Sequence, residues 1–184
     1  MTTASRAQWG YRIVLPPGWL LLPVRDRTDA ELHRLIMDQY REAPRDSAMP
    51  FISRLADAVI AGIRTARDVD VVDVILPLGA AWGSAVSTSI ALAIGKDRMP
   101  DDGELVETEA GEAVRTERQR TPESLRRVEY VWRIPASEDS LLVATFSIVG
   151  DDDPELAPIV DALTTLCDAV LSTLRWDPTP EETP

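Results

Sequence analysis

Arg115, Arg118, Arg120, Arg126 and Arg127 crowd one stretch of a chain whose net charge is −12. Guanidinium forks bind carboxylates and phosphates in defined geometry. The run reads either as a solvated hairpin and loop or as a surface for an acidic partner, the acidic tail of this chain or of a neighbour included. The other chemistry-bearing residues are sparse. His33 is the only histidine and Cys167 the only cysteine. Without a second His or a Gly-x-Ser-x-Gly elbow, serine hydrolysis and histidine-metal chemistry would need unusual residues. Cys167 falls on an apolar helical stripe, where a thiol behaves as a small hydrophobe. The acids of "DDDPE" and "MPDDGE" lack the alternating ligands and defined turn of a calcium loop, and Asp153 reads as a helix cap. "GAAWG" is followed by no Gly-Lys-Ser/Thr, so it reads as a crossover between strands rather than a phosphate loop. Trp82 inside it either tucks onto the core or stands out as a binding anchor. The expectation is no metal, no cofactor and no enzymatic activity.

These residues must be carried by a fold, and hydrophobic spacing indicates which. "YRIVLPPGWLLLPV" breaks two short strand-like runs at Pro16, Pro17 and Gly18, because Pro cannot donate to a ladder and Pro-Gly pins a turn. Thr28 and Glu31 form a capping box before a helix with Leu32, Leu35, Ile36 and Tyr40 on one face. A second helix is predicted with Pro50 in its first turn and a stripe of Phe51, Leu55, Val59 and Ile63, widened by Ile52 and Ile60. After Val69 the period becomes two. Val72, Val74 and Leu76 share one side of a strand with Asp73 on the other. Ile90, Leu92 and Ile94 share a side of the next strand. A polar hairpin turns near Ala110 and Gly111. Val128, Tyr130, Trp132 and Ile134 then face Leu142, Ala144, Phe146 and Ile148 in a further hairpin. The final helix has Asp153 as its expected cap and Pro154 at its first position, with a stripe from Leu156 to Leu174. Strands and helices in runs, without βαβ alternation, predict an α+β fold. Its mostly antiparallel sheet is covered by the long C-terminal helix and carries an inserted helical hairpin.

Composition bounds the rest. The 184 residues suit one domain, from Tyr11 to Trp176, with a flexible leader over 1–10 and a disordered acidic tail over 177–184. The acidic balance makes nucleic acid a poor partner. No apolar run approaches the ~20 residues of a membrane span, and the first residues lack the apolar core of a signal peptide. The expected location is the cytoplasm.

"RIVLPPGWLLLPV", the helical hairpin, "VDVILPLGAAWGSAVSTSIALAIG" and the closing "LCDAVLSTLRW" resemble a group of uncharacterised actinobacterial proteins. These are similar in turn to the PsbP-like fold, which includes DcrB and the effector-associated chaperones of type VI secretion. The resemblance covers Tyr11 to Trp176 and transfers no catalytic residue. It implies a scaffold used to bind proteins or hydrophobic segments.

The resulting expectation is a protein-binding accessory or chaperone-like adaptor, linked to protein secretion or toxin handling. The alternatives are a self-associating structural subunit and an enzyme with unrecognised acidic catalytic residues. Partner binding is expected on the sheet side away from the C-terminal helix. Trp82, Thr88, Arg115, Arg118, Arg126 and Arg127 are the candidate residues.

Overall fold

The computed structural model describes residues 9–42, 44–78, 86–96, 98–120, 125–135, 137, 139–150 and 153–177. Trp82 and the side chain of Arg120 lie outside the described residues, as do most of the predicted leader and tail. Two strands come first, β1 (Tyr11–Arg12) and β2 (Leu20–Pro23), then two helices, α1 (Asp29–Gln39) and α2 (Arg45–Arg67). Strands β3 (Val71–Leu76), β4 (Ser87–Gly95), β5 (Glu104–Thr108), β6 (Gly111–Arg120), β7 (Leu125–Arg133) and β8 (Leu141–Val149) follow. Helix α3 (Ala157–Ser172) and β9 (Arg175–Trp176) close the order.

The main sheet has the order β2-β3-β4-β8-β7-β6-β5, with every neighbouring pair antiparallel. The fold is α+β, as the spacing implied. The double proline does more than join two paired strands. Trp19 N–H donates to the Pro16 carbonyl across the turn at 3.1 Å, and Gly18 takes a φ of 80° that suits glycine. The strands on either side then part. β1 pairs with β9 in a separate two-stranded sheet, while β2 edges the main sheet. Trp9 and Gly10, placed by sequence in the leader, are seated: Trp9 packs edge-on to Trp176, and the Gly10 carbonyl accepts from Asp177 N–H at 2.8 Å.

Alternation gives the sheet a front and a back. On the front, Ile90 and Leu92 of β4, Val128, Tyr130 and Trp132 of β7, and Leu142, Ala144, Phe146 and Ile148 of β8 are buried in one core. α3 covers it with Val160, Leu163, Cys167, Val170 and Leu171. Ile159 of the predicted stripe is instead partly exposed. A second cluster sits on the back, over β2 and β3 alone. Leu22, Val24, Leu32, Ile36, Ala56, Ile60 and Ile63 are its buried members, joined by Val71, Val74 and Leu76.

Local chemistry explains the helix ends. The Thr28–Glu31 capping box forms as expected, with Thr28 Oγ1 accepting from Glu31 N–H and Glu31 accepting from Thr28 N–H. α2 begins five residues before Pro50, at Arg45, so that proline lies inside the helix. The stripe shifts with it: Ile52, Ala56, Ile60 and Ile63 are buried, and Phe51 is 62% exposed. Asp153 does not cap α3. It caps the turn before the helix, accepting from Glu155 N–H at 2.9 Å on its side chain and from Ala157 N–H at 3.1 Å on its carbonyl. Asp73, expected on the polar side of β3, is half-buried and accepts from the Tyr11 hydroxyl.

Candidate protein-binding face

The register sends the arginines of β6 and β7 to opposite sides of the sheet. Arg126 shares its side with Val128, Tyr130 and Trp132 of the front. Arg115, opposite Tyr130, faces the same way. Both meet α3. Arg115 donates through Nε and Nη2 to the two oxygens of Asp168, each at 3.1 Å. The Tyr130 hydroxyl adds a bond to Asp168 Oδ1 at 2.8 Å. Arg126 donates to Asp161 at 2.7 Å and to Thr164 at 3.3 Å. Asp161, Thr164 and Asp168 lie three and four residues apart, on one helical face. Burial works against the Arg115 charge, but the bonds to Asp168 outweigh it and hold the guanidinium protonated. Burial, with the neighbouring Asp168, pushes the Tyr130 hydroxyl far above its ordinary value, so it remains a donor.

Arg115 and Arg126, proposed from sequence as partner-facing, therefore serve as the polar fastening of helix to sheet. Thr88 is corrected on the same ground. It shares its side with Ile90 and Leu92, is buried, and lies 3.8 Å from Cys167 Sγ beneath α3. Cys167, buried there, has its thiol pushed up to about 11 by that burial. His33 is half-buried beside Leu32 on α1. Among the described residues no group of three or more His, Cys, Asp and Glu is placed to hold a metal ion.

The back of the sheet is different. Past β3 it presents Ser87, Ser89 and Ala91 of β4, then Thr145, Ser147 and Val149 of β8. Leu125, Arg127 and Glu129 of β7 follow, then Thr116 and Arg118 of β6. None of these residues belongs to the apolar cluster under α1 and α2. Arg118 and Arg127 stand directly opposite each other.

This surface has two borders. One is α2. Arg64 and Arg67 reach Asp29 of α1 at 2.7 and 2.8 Å, and Arg67 also donates to the Val24 carbonyl just past β2. That flank of α2 thus looks toward the edge strand. At 3.6 residues per turn, Phe51, Leu55, Ala58 and Gly62 line the opposite flank, on the β4 side. Phe51, Ala58 and Gly62 are exposed and Leu55 is half-buried. The other border is the connection into β5. Thr116 Oγ1 donates to the Asp102 carbonyl at 3.2 Å, and Gly103 packs onto Val114 and Thr116. Val114 and, one strand over, Val131 are buried on this side. Between the borders lies a basin with a small, hydroxyl-rich floor, an apolar wall and an arginine pair on its far side.

Sequence reasoning found the arginines but not their division. The signal was present for Arg126 and Thr88, because each shares parity with buried neighbours in its own strand. Nothing local marked Phe51, Ser147 or Thr145, whose roles come from strand order and helix placement. Compared with known proteins, the chain matches no family model and no curated protein. No helix among the described residues is long and apolar enough to cross a membrane.

Proposed function

We propose that the chain is a non-enzymatic protein-binding accessory, a chaperone-like adaptor acting in the cytoplasm, with the back of the sheet as its recognition surface. The observation that carries this reading is the asymmetry of cover. α3 spans the front of the sheet, whereas the helical pair stops at β3 on the back. An antiparallel sheet tolerates one solvated side, and a floor of Ser, Thr and Ala suits water and a docked protein equally. The resemblance to PsbP-like and DcrB-like proteins supports the same reading and its link to secretion or toxin handling.

A second reading rests on the edge of the sheet. β5 is a terminal strand with Leu105 exposed, and an open edge invites pairing with another copy. A structural, self-associating subunit would use it.

One experiment separates them. Wild-type protein and the Ser147→Trp and Leu105→Lys variants are each used to capture partners from the native host. The adaptor reading expects one defined protein that Ser147→Trp loses and Leu105→Lys retains. Recovery of the chain's own copies alone, lost with Leu105→Lys, would establish the subunit reading instead.

A further inference from the structure

We propose that the basin holds a short amphipathic helix of a client protein, with Arg118 and Arg127 taking carboxylates carried along one edge of that helix. This rests on the protein-binding reading above and adds the shape and charge of what is bound.

The first support is a vacant position in the helical layer. α2 packs on β3 and turns Phe51, Leu55, Ala58 and Gly62 toward β4. Packed helices lie about 8–10 Å apart, and strands about 4.8 Å apart. A helix beside α2 would therefore lie over β8, two strands along the order β3-β4-β8. The floor there is Thr145 and Ser147, flanked by Ser89 and Ala91. Such small side chains let a helix backbone come close.

The second support is the arginine pair. Like charges directly opposite on a sheet destabilise it, yet Arg118 and Arg127 face each other. Arg118 is exposed and makes no ion pair among the described residues, and Arg127 reaches Glu129 only at 3.8 Å. A carboxylate between two guanidinium forks gains several charge-assisted hydrogen bonds and removes the repulsion. β7 and β6 lie beyond β8, away from α2. The bound helix must then carry apolar residues toward Phe51 and Leu55, and its acids along the opposite edge.

The third is length. The connection at Asp102 and Gly103 obstructs the face at Thr116. Only the half toward Ser87, Val149 and Leu125 stays open, enough for about three turns, or ~16 Å of helix. A polyphosphate strand is the other common bearer of closely spaced anions. The chain's net charge of −12 repels it more than a helix carrying a few carboxylates.

The test is selection from a displayed library of helix-forming peptides about 16 residues long, with Leu, Ala, Ser, Glu and Lys allowed at the varied positions. Enriched peptides are expected to pair an apolar stripe with Glu along one edge. Their affinity should fall at least about tenfold on Arg118→Glu/Arg127→Glu and on Phe51→Asp, in variants that melt as wild type does. Changing the peptide's Glu to Lys should restore binding to the arginine-reversed protein. Peptides that lose binding to Ser147→Trp but ignore the arginine reversal would overturn the carboxylate assignment and leave protein binding standing. A selection yielding no peptide sensitive to Ser147→Trp would remove both. Binding of an oligo-dT probe that needs the two arginines, in place of any peptide, would also overturn the proposal.

Discussion

Tyr11 donates its hydroxyl to Asp73 across 62 positions of chain, joining the two-stranded sheet to the main one. Burial raises the Asp73 carboxyl above its ordinary value; the Tyr11 bond pulls the other way, and the charge of Asp26 adds to the rise. The same burial, with Asp73 beside it, keeps Tyr11 protonated far beyond physiological pH.

The sign of the pH effect follows. An unfolded Asp titrates near ~3.9, and folded Asp73 titrates higher, so the folded state holds the proton longer. The resulting stability is fully present below the unfolded value and is lost as pH rises through the folded one. At neutral pH the buried carboxylate is therefore a cost, and Asp73→Asn keeps an oxygen to accept from Tyr11. Its melting temperature is expected to exceed that of wild type at pH 7, with the gap closing toward about pH 4. A wild type that melts higher at pH 7 would mean that the bond to the charged form outweighs burial.

Asp168 joins Arg115 and Tyr130, so removing it leaves a mostly buried guanidinium without its bidentate partner. Asp168→Ala is expected to cost about 2 kcal/mol, in the range for hydrogen bonds to charged groups. Tyr130→Phe should cost about half as much, since one of the three bonds goes. Urea denaturation of the single and double variants checks this. Additive losses would show that the three groups do not act together.

Cys167 is buried and its thiol is pushed up to about 11. The thiolate is the reactive form, so a native thiol at pH 8 is doubly protected. Modification by a chromogenic disulfide reagent is expected to track global unfolding, with urea accelerating it in step with loss of helical signal. Rapid labelling of the folded protein would mean that α3 lifts from the sheet on its own.

Gly103 has a φ of 135°, and an added Cβ would come within 2.7 Å of Val114 and 2.8 Å of the Arg115 carbonyl. Gly103→Ala is thus expected to destabilise by about 1–3 kcal/mol, the cost of a strained backbone position. Calorimetry gives the value directly. An unchanged melting temperature would show that the entry to β5 can shift without disturbing β6.

Much of this architecture was legible because it is local. The capping box at Thr28 and Glu31, the period-two faces of β4, β7 and β8, and the stripe of α3 each follow from neighbours in sequence. What stayed hidden depends on distant pairings. β4 lies against β8, more than fifty residues later, and no local rule names that neighbour. β1 chooses β9 over the adjacent β2. Phe51 looked buried because its stripe was read one helical step away from Ile52. The division of the arginines was half readable: Arg126 through the parity of its own strand, Arg118 only once β6 is registered against β7.

The pairing of Tyr11 with Trp176 also bears on vectorial synthesis. At roughly 5–20 residues per second, β1 leaves the ribosome on the order of ten seconds before its partner strand exists. For most of that interval Trp19, Ile90, Trp132 and Phe146 have no α3 to cover them, because residues 157–172 emerge after every strand of the main sheet. The nascent chain passes through a stage with a finished, bare apolar surface, the kind of species most exposed to aggregation. Its solubility in the cell is therefore set during translation, by how quickly the sequence-late helix arrives.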